Sequence, residues 1–367
     1  MAKEEFIFNV NTLVGCNYSI LRELKREFKV EKEYRNKFFW SQIASMATTG
    51  LSYFDKIRYD SLSKNPEIIK PPIYILGHWR SGTTLLHNLL CTFKGTVYPT
   101  TYHTVFPNNI FFLRGLIKKI MQYYLPEKRL VDRLRMHVDL PQEEDFGLGN
   151  EAGYSFYYWF YFPKDHQRIT NEFLFLPSED PLRNKIYRER YIRFIERCMM
   201  HLGGDQYVAK NPPNTARIPF LMDLFPESRY IYIERNPYEV LISSFRFFKG
   251  FLKTLQLQDI DDDSLWDFIY DTYVTLYNKY QEDKKLIPPS NLVELKYENV
   301  VADLGLTLKT LQQGLLSDLK ADETKLRIII EEHKLHKANT YSFDKSYINK
   351  VNEKLGGLIE KQGYKLL

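Results

Sequence analysis

The feature that most constrains this chain is residues 73–90, IYILGHWRSGTTLLHNLL, where an apolar β-type run stops at Gly77, turns, and restarts with helical spacing. A strand that runs straight into a helix belongs to a parallel sheet, because the helix must carry the chain back over the sheet before the next strand pairs. The same turn is an anion cradle. Glycines at 77 and 82 permit a tight backbone, and a helix starting near Gly82 offers unpaired N–H groups and the positive end of its dipole.

The interval from Gly77 to Gly82 is that of a nucleotide-binding G-x-x-x-x-G-K-[ST] loop, yet Thr83 stands at the lysine position. The cation is instead Arg80, inside the loop, where it can reach an anion held by the hydroxyls of Ser81, Thr83 and Thr84. This points to a nucleotide whose terminal group is not a triphosphate. A second strand-like run, RYIYI at 229–233, leads to Arg235, and Ser243 follows eight residues later. Two helical turns cover about seven residues, so Ser243 lies back near the line of a helix that begins after Pro237. An arginine fork and a hydroxyl suit a phosphate.

The run Arg80-Ser81-Gly82-Thr83-Thr84, with Arg235 and Ser243 downstream, resembles the signatures of the sulfotransferases that use 3′-phosphoadenosine 5′-phosphosulfate (PAPS). In that family the first loop binds the 5′-phosphosulfate and the arginine–serine pair binds the 3′-phosphate. The resemblance implies a P-loop-like parallel sheet flanked by helices, with PAPS as co-substrate. It covers residues 71–301, more thinly to the end, and includes FPES at 225–228 before the second strand. Lys210-Asn211-Pro212, continuing to Arg217, resembles the family's K-x-P-x-x-x-x-R stretch, and Tyr297-Glu298 its Y-E turn, whose tyrosine approaches the nucleotide. The loop GHWRSGTT and the segment Pro141-Gln142-Glu143-Glu144-Asp145 are similar to the bacterial branch. The R-K-G motif that the small-molecule branch carries near its C-terminus is missing, which leaves Arg246, Lys345 and Lys350 as possible further ligands of the 3′-phosphate.

Moving a sulfuryl group to a hydroxyl requires that the hydroxyl lose its proton, that three equatorial oxygens be held, and that charge on the departing oxygen be neutralised. Phosphoryl transfer is the nearest template, and there positioning and electrostatics dominate. Sulfonate carries less charge than phosphate, so no metal is demanded; Arg80 and Lys210 are the candidates for the leaving-group side. For the base, Glu143-Glu144-Asp145 is the most unusual carboxylate group in the chain. Mutual repulsion and burial can raise one pKa of such a cluster, although an acidic first helical turn after Pro141 has the same composition. Neighbouring helix positions point different ways, so one of the three reaches the acceptor; Glu143 aligns with the family's leading glutamate. His78, His87 and His137 compete for the role, but their positions favour packing or surface roles.

Residues 154–162, YSFYYWFYF, carry eight aromatics in nine positions and read either as the floor of an acceptor pocket or as a buried helix. Residues 110–124 have apolar side chains at helical spacing with Arg114, Lys118 and Lys119 between, a pattern that packs on a sheet or lies on a membrane surface. The net charge of +5 is spread along the chain and forms no basic tract, which argues against nucleic acid as a partner. Three cysteines, Cys16, Cys91 and Cys198, match no metal spacing and fit a reducing compartment. With an acidic start, no long apolar h-region and no run of about 18 apolar residues, a cytoplasmic location is expected.

The chain is therefore read as a helical N-terminal extension, 1–70, and an α/β domain, 71–367, closed by a helical C-terminal cap over 323–335 and 347–360. Three functions are compared: a sulfotransferase acting on a glycan or lipid hydroxyl, a P-loop kinase or ATPase, and a non-catalytic nucleotide-binding protein. The kinase must do without its loop lysine and a Walker-B acid. A bacterial glycan or lipid is the favoured acceptor, with peripheral membrane contact as a further possibility.

Overall fold

The computed structural model describes residues 11–62, 70–128, 135–176, 180–335 and 341–367. Residues 1–10 and 63–69 of the N-terminal extension lie outside them. In chain order the principal elements are α1 (Tyr18–Glu27), α2 (Arg35–Leu62), β1 (Ile73–Leu76), α3 (Thr83–Leu90), β2 (Thr96–Val97), α4 (Arg114–Tyr124), α5 (Glu144–Ala152) and α6 (Pro181–Leu202). They continue with β3 (Gln206–Lys210), β4 (Arg229–Glu234), α7 (Pro237–Leu255), α8 (Asp262–Asp283), β5 (Leu292–Lys296), α9 (Glu323–Leu335) and α10 (Lys345–Lys361).

The strands form one sheet in the order β2-β3-β1-β4-β5. Strand β1 pairs in parallel with β4, Ile73 opposite Arg229 and Leu76 opposite Tyr232, and β4 pairs in parallel with β5 from Tyr230–Leu292 to Glu234–Lys296. All four residues of β1 are buried, as an unbroken apolar strand covered on both faces requires. This register brings the carboxyl ends of β1, β4 and β5 to one edge, where Gly77, Arg235 and Tyr297 follow. Ligands of open α/β sheets bind at that edge.

The chain divides into two compact units, one taking in residues up to Lys70 with Val97–Ala209 and Phe247–Asp261, the other Pro71–Thr96, Lys210–Arg246 and Asp262–Leu367. The first unit is built mainly of helices. Helix α6 starts at Pro181, where Asp180 caps the N–H groups of Leu182 and Arg183 at 3.0 Å and the proline occupies the first turn. It ends at Gly203, whose φ of 73° is the left-handed conformation glycine supplies. The aromatic run at 154–162 is buried throughout, with Trp159 edge-on to Phe248 at 4.9 Å, so it is core rather than an open pocket floor. Helix α4 packs within the first unit. Its Ile117 and Met121 pack with Tyr102 and Val138, while Leu113, Leu116, Ile120 and Tyr123 stay exposed.

In the second unit, α10 is fastened beside the start of α7. Tyr347 donates its hydroxyl to the carbonyl of Tyr238 at 2.7 Å, Lys354 pairs with Asp267 of α8 at 2.9 Å, and Tyr273 bonds Gln362 at 3.1 Å. The helical C-terminal segment thus lies against the first turn of the helix that follows Arg235.

Candidate active site

The loop after β1 is shaped by three residues with positive φ: Gly77 (135°), Arg80 (69°) and Gly82 (104°). A Cβ at Gly77 would lie 2.4 Å from the carbonyl oxygen of Ile233, so the loop starts hard against the end of β4. A Cβ at Gly82 would lie 2.4 Å from Cδ2 of Tyr297, so that ring covers the N-terminus of α3. Arg80 holds a left-handed backbone without glycine's freedom, a strain of about 1–3 kcal/mol typical of residues kept for a site. The loop is braced from within and from a distance. Ser81 donates its hydroxyl to the carbonyl of His78 at 2.7 Å, and the amide of Gly77 donates to the hydroxyl of Thr215 at 2.8 Å. Ser81 therefore shapes the loop in addition to any contact with an anion.

The two arginines singled out from sequence converge. Arg80 Nε donates to the hydroxyl of Ser243 at 3.0 Å, and Arg235 Nη1 approaches the carbonyl of Arg80 at 3.3 Å. Arg235 also stacks over the ring of Tyr297, with its guanidinium carbon 4.3 Å from the centroid. Thus Arg80, Gly82, Arg235, Ser243 and Tyr297 form one cluster at the carboxyl ends of β1, β4 and β5. Ser81 is buried beside it; Thr83 and Thr84 open α3, Thr83 buried and Thr84 half-buried. Arg235 has its Nε and Nη2 edge on Glu239, one turn along α7.

His78 is buried within the loop, its Nδ1 2.8 Å from the carbonyl of Trp79. Burial pushes its pKa down to about 4, which makes the ring a poor base near neutrality. His87 is buried inside α3, and His137 is a half-buried residue 3.7 Å from Asp139. Lys210 is buried at the last position of β3, and its charge acts on the thiol of Cys91, just past the carboxyl end of α3. Of the further phosphate candidates, Arg246 stacks over Tyr341 at 5.3 Å, one helical turn beyond Ser243, whereas Lys350 faces Asp263 at 4.0 Å and Lys345 is an exposed first-turn residue of α10.

Within the first unit the three acidic residues have separate fates. Glu144 is fully buried and accepts hydroxyl bonds from Tyr191 at 2.8 Å and Tyr207 at 2.7 Å. Asp145 is fully buried and accepts from the amide of Phe156 at 3.0 Å and the hydroxyl of Ser155 at 3.3 Å. Both hold the fold. Glu143, the residue before α5, is half-exposed and accepts from the hydroxyl of Tyr157. It is the member of the trio that is not buried.

Three contacts were not read from the sequence. Glu239 engages Arg235, a pairing that the i, i+4 spacing on a helix could have flagged. Glu298 accepts from the amide of Asn236 at 3.0 Å, and Thr215 braces Gly77 across 138 residues of sequence, for which no local signal exists.

A sequence profile described as the sulfotransferase family matches residues 71–316. The chain is 30% identical over 354 residues to omega-hydroxy-beta-dihydromenaquinone-9 sulfotransferase Stf3 of Mycobacterium bovis, covering 96% of this chain and 90% of that protein. A flavonol sulfotransferase-like protein of Flaveria bidentis is 23% identical over 202 residues, covering 51% of this chain and 62% of that protein. Among solved structures, sulfotransferase STF9 from Mycobacterium avium superposes with a TM-score of 0.67 at 14% identity, covering 96% of this chain and 98% of that one. STF1 from Mycobacterium tuberculosis gives 0.67 at 16% identity, covering 92% and 90%. At those identities the superpositions speak for the fold.

Proposed function

Since the chain belongs to the sulfotransferase family, we propose that it moves the sulfuryl group of PAPS to the hydroxyl of a lipid. The observation that carries the donor assignment is the cluster of Arg80, Arg235, Ser243 and Tyr297 around a glycine loop that has no lysine. Two converging guanidinium groups, a hydroxyl and a helix N-terminus suit a nucleotide with separate 5′ and 3′ anionic groups. A triphosphate loop would use lysine and a metal at the same place.

When bound, PAPS supplies a sulfuryl group on a phosphate leaving group. The residues of this chain divide the remaining work. The loop amides and the residues Arg80, Ser81, Gly82, Thr83 and Thr84 hold the phosphosulfate end; Arg235 and Ser243, with Arg246 as a further candidate, hold the 3′-phosphate. The Tyr297 ring lies over Gly82 and under Arg235, where it can flank the nucleotide. Arg80 and Lys210 are assigned to the charge that develops on the departing oxygen. Glu143 is assigned as the base: its carboxylate takes the proton of the acceptor hydroxyl as the new O–S bond forms. The burial of Glu144 and Asp145 in hydrogen bonds supports choosing Glu143 from the three.

The acceptor class follows from the Mycobacterium bovis relative, whose name identifies a menaquinone-type lipid hydroxyl. The test is transfer of sulfur label from PAPS, offered a prenylquinone with a terminal hydroxyl beside an oligosaccharide. Label in the lipid supports the assignment; label in the oligosaccharide alone moves the acceptor to the glycan class.

A further inference from the structure

Helix α2 is amphipathic in the reverse sense. Toward its own unit it presents polar groups with partners: Lys37 Nζ donates to the carbonyl of Thr254 at 2.6 Å, Ser41 to Asn11 at 3.1 Å and Ser45 to the carbonyl of Cys16 at 2.6 Å. Asp55 accepts from the amides of Phe111 at 2.6 Å and Phe112 at 2.7 Å and pairs with buried Arg197. Outward it presents Phe39, Trp40, Ile43, Met46, Tyr53, Phe54 and Ile57, each between 46% and 66% exposed. These positions repeat by three and four, so they form one stripe, and Phe39 to Ile57 covers about 27 Å of helix. The positions that fill the stripe between them, Ala47 and Gly50, carry no charge.

Helix α4 widens the stripe. Phe112, just before it, stacks on Phe54 at 5.2 Å, and Leu51 of α2 packs into the cluster of Ile117 and Met121. The exposed Leu113, Leu116, Ile120 and Tyr123 of this segment extend the apolar surface. Basic residues fringe it: Arg58 at the end of α2, and Arg114 and Lys119 on α4, are exposed. Nearby Asp60 and Asp139 are each held by a lysine, Lys56 at 2.6 Å and Lys118.

We propose that this face of the first unit docks on the surface of a bilayer containing anionic lipid. A helix that gives its polar side to the protein and its Phe, Trp, Ile and Met to the outside is matched to an apolar medium. Trp40, Tyr53 and Tyr123 are the side chains enriched at the headgroup level, and the arginine and lysine fringe complements anionic headgroups. A second copy of the chain fits less well, because a two-fold contact sets the same patch against itself and would bring the basic fringes together. Docking would give access to an acceptor that resides in the membrane, a consequence that rests on the lipid reading above.

The test is flotation of the full chain with phosphatidylcholine vesicles, with and without phosphatidylglycerol, together with its mass by light scattering in the absence of lipid. The expected result is a monomer that floats with the phosphatidylglycerol vesicles. Ile43→Glu with Phe54→Glu, and separately Leu116→Glu with Ile120→Glu, lower that partitioning by about tenfold or more. Binding of 3′-phosphoadenosine 5′-phosphate, read on the same variants, stays unchanged and reports that they fold. A wild-type chain that stays out of the vesicles, or variants that float as it does, overturns the proposal. A wild-type dimer that the same substitutions split, without vesicle binding, assigns the face to a second copy instead. Vesicle binding without sulfation of any lipid alcohol would leave the surface standing and remove the lipid acceptor.

Discussion

Replacing Arg235 by alanine removes more than one favourable contact, and the structure separates the parts. The guanidinium lies between Glu239, the carbonyl of Arg80 and the ring of Tyr297. Losing a charge-assisted fork on a phosphate costs about 2–3 kcal/mol. Arg235→Ala also leaves the Glu239 carboxylate without its arginine, close to where the 3′-phosphate is proposed to sit. That carboxylate is partly exposed, at 35%, so solvent screens the repulsion to about 1 kcal/mol. Together, about 3–4 kcal/mol predicts affinity for 3′-phosphoadenosine 5′-phosphate roughly 10²–10³ weaker. In a Glu239→Gln background the same arginine substitution should cost about 1 kcal/mol less, because the leftover charge is gone. Isothermal calorimetry on the four proteins reads the whole cycle. A change of less than about threefold for Arg235→Ala, or the same loss with and without Glu239, would refute the reasoning.

Glu143→Gln should lower turnover by about 10²–10⁴ while leaving nucleotide affinity unchanged, as removal of a general base does; equal losses in both would take Glu143 out of that role. Gly82→Ala places a Cβ at φ 104° and 2.4 Å from Tyr297, so weakened nucleotide binding is expected. Adding Tyr297→Ala should relieve the clash but not the backbone strain of about 1–2 kcal/mol, and calorimetry on the single and double variants checks this. His78 has its folded pKa pushed by burial to about 4, below the ordinary 6.5, so its contribution to stability is complete above pH 6.5 and is lost as pH falls toward 4. Urea midpoints should decline across that window, by an amount on the order of 3 kcal/mol for this residue. His78→Phe, which keeps a ring near Tyr273, should flatten the decline, and an unchanged slope would contradict the assignment.

What could be read from the sequence was what neighbouring residues dictate. The break at Gly77, the helix after Gly82, Arg235 at the end of β4 and Ser243 two turns later all follow from local spacing, and the fold kept each of them in place. The contacts that bind these pieces into a cluster depend on partners distant in sequence. Thr215 bracing Gly77, Tyr297 over Gly82 and Arg80 on Ser243 join segments more than a hundred residues apart. The aromatic run at 154–162 could have been pocket or core, because composition does not say which side of a ring meets solvent; burial assigns it to the core. Helix α2 shows the limit most plainly. Its apolar stripe was recognisable as helical, but apolar residues are counted as core by default, and only the partners of Lys37, Ser41, Ser45 and Asp55 reveal that the polar side faces inward.

The central claim is that the Gly77–Gly82 loop and Arg235 bind a nucleotide carrying a 3′-phosphate, and calorimetric titration with 3′-phosphoadenosine 5′-phosphate beside ATP with magnesium tests it directly. Tight binding of the former with no heat from the latter is the predicted result. Binding of ATP with magnesium and none of 3′-phosphoadenosine 5′-phosphate would contradict it.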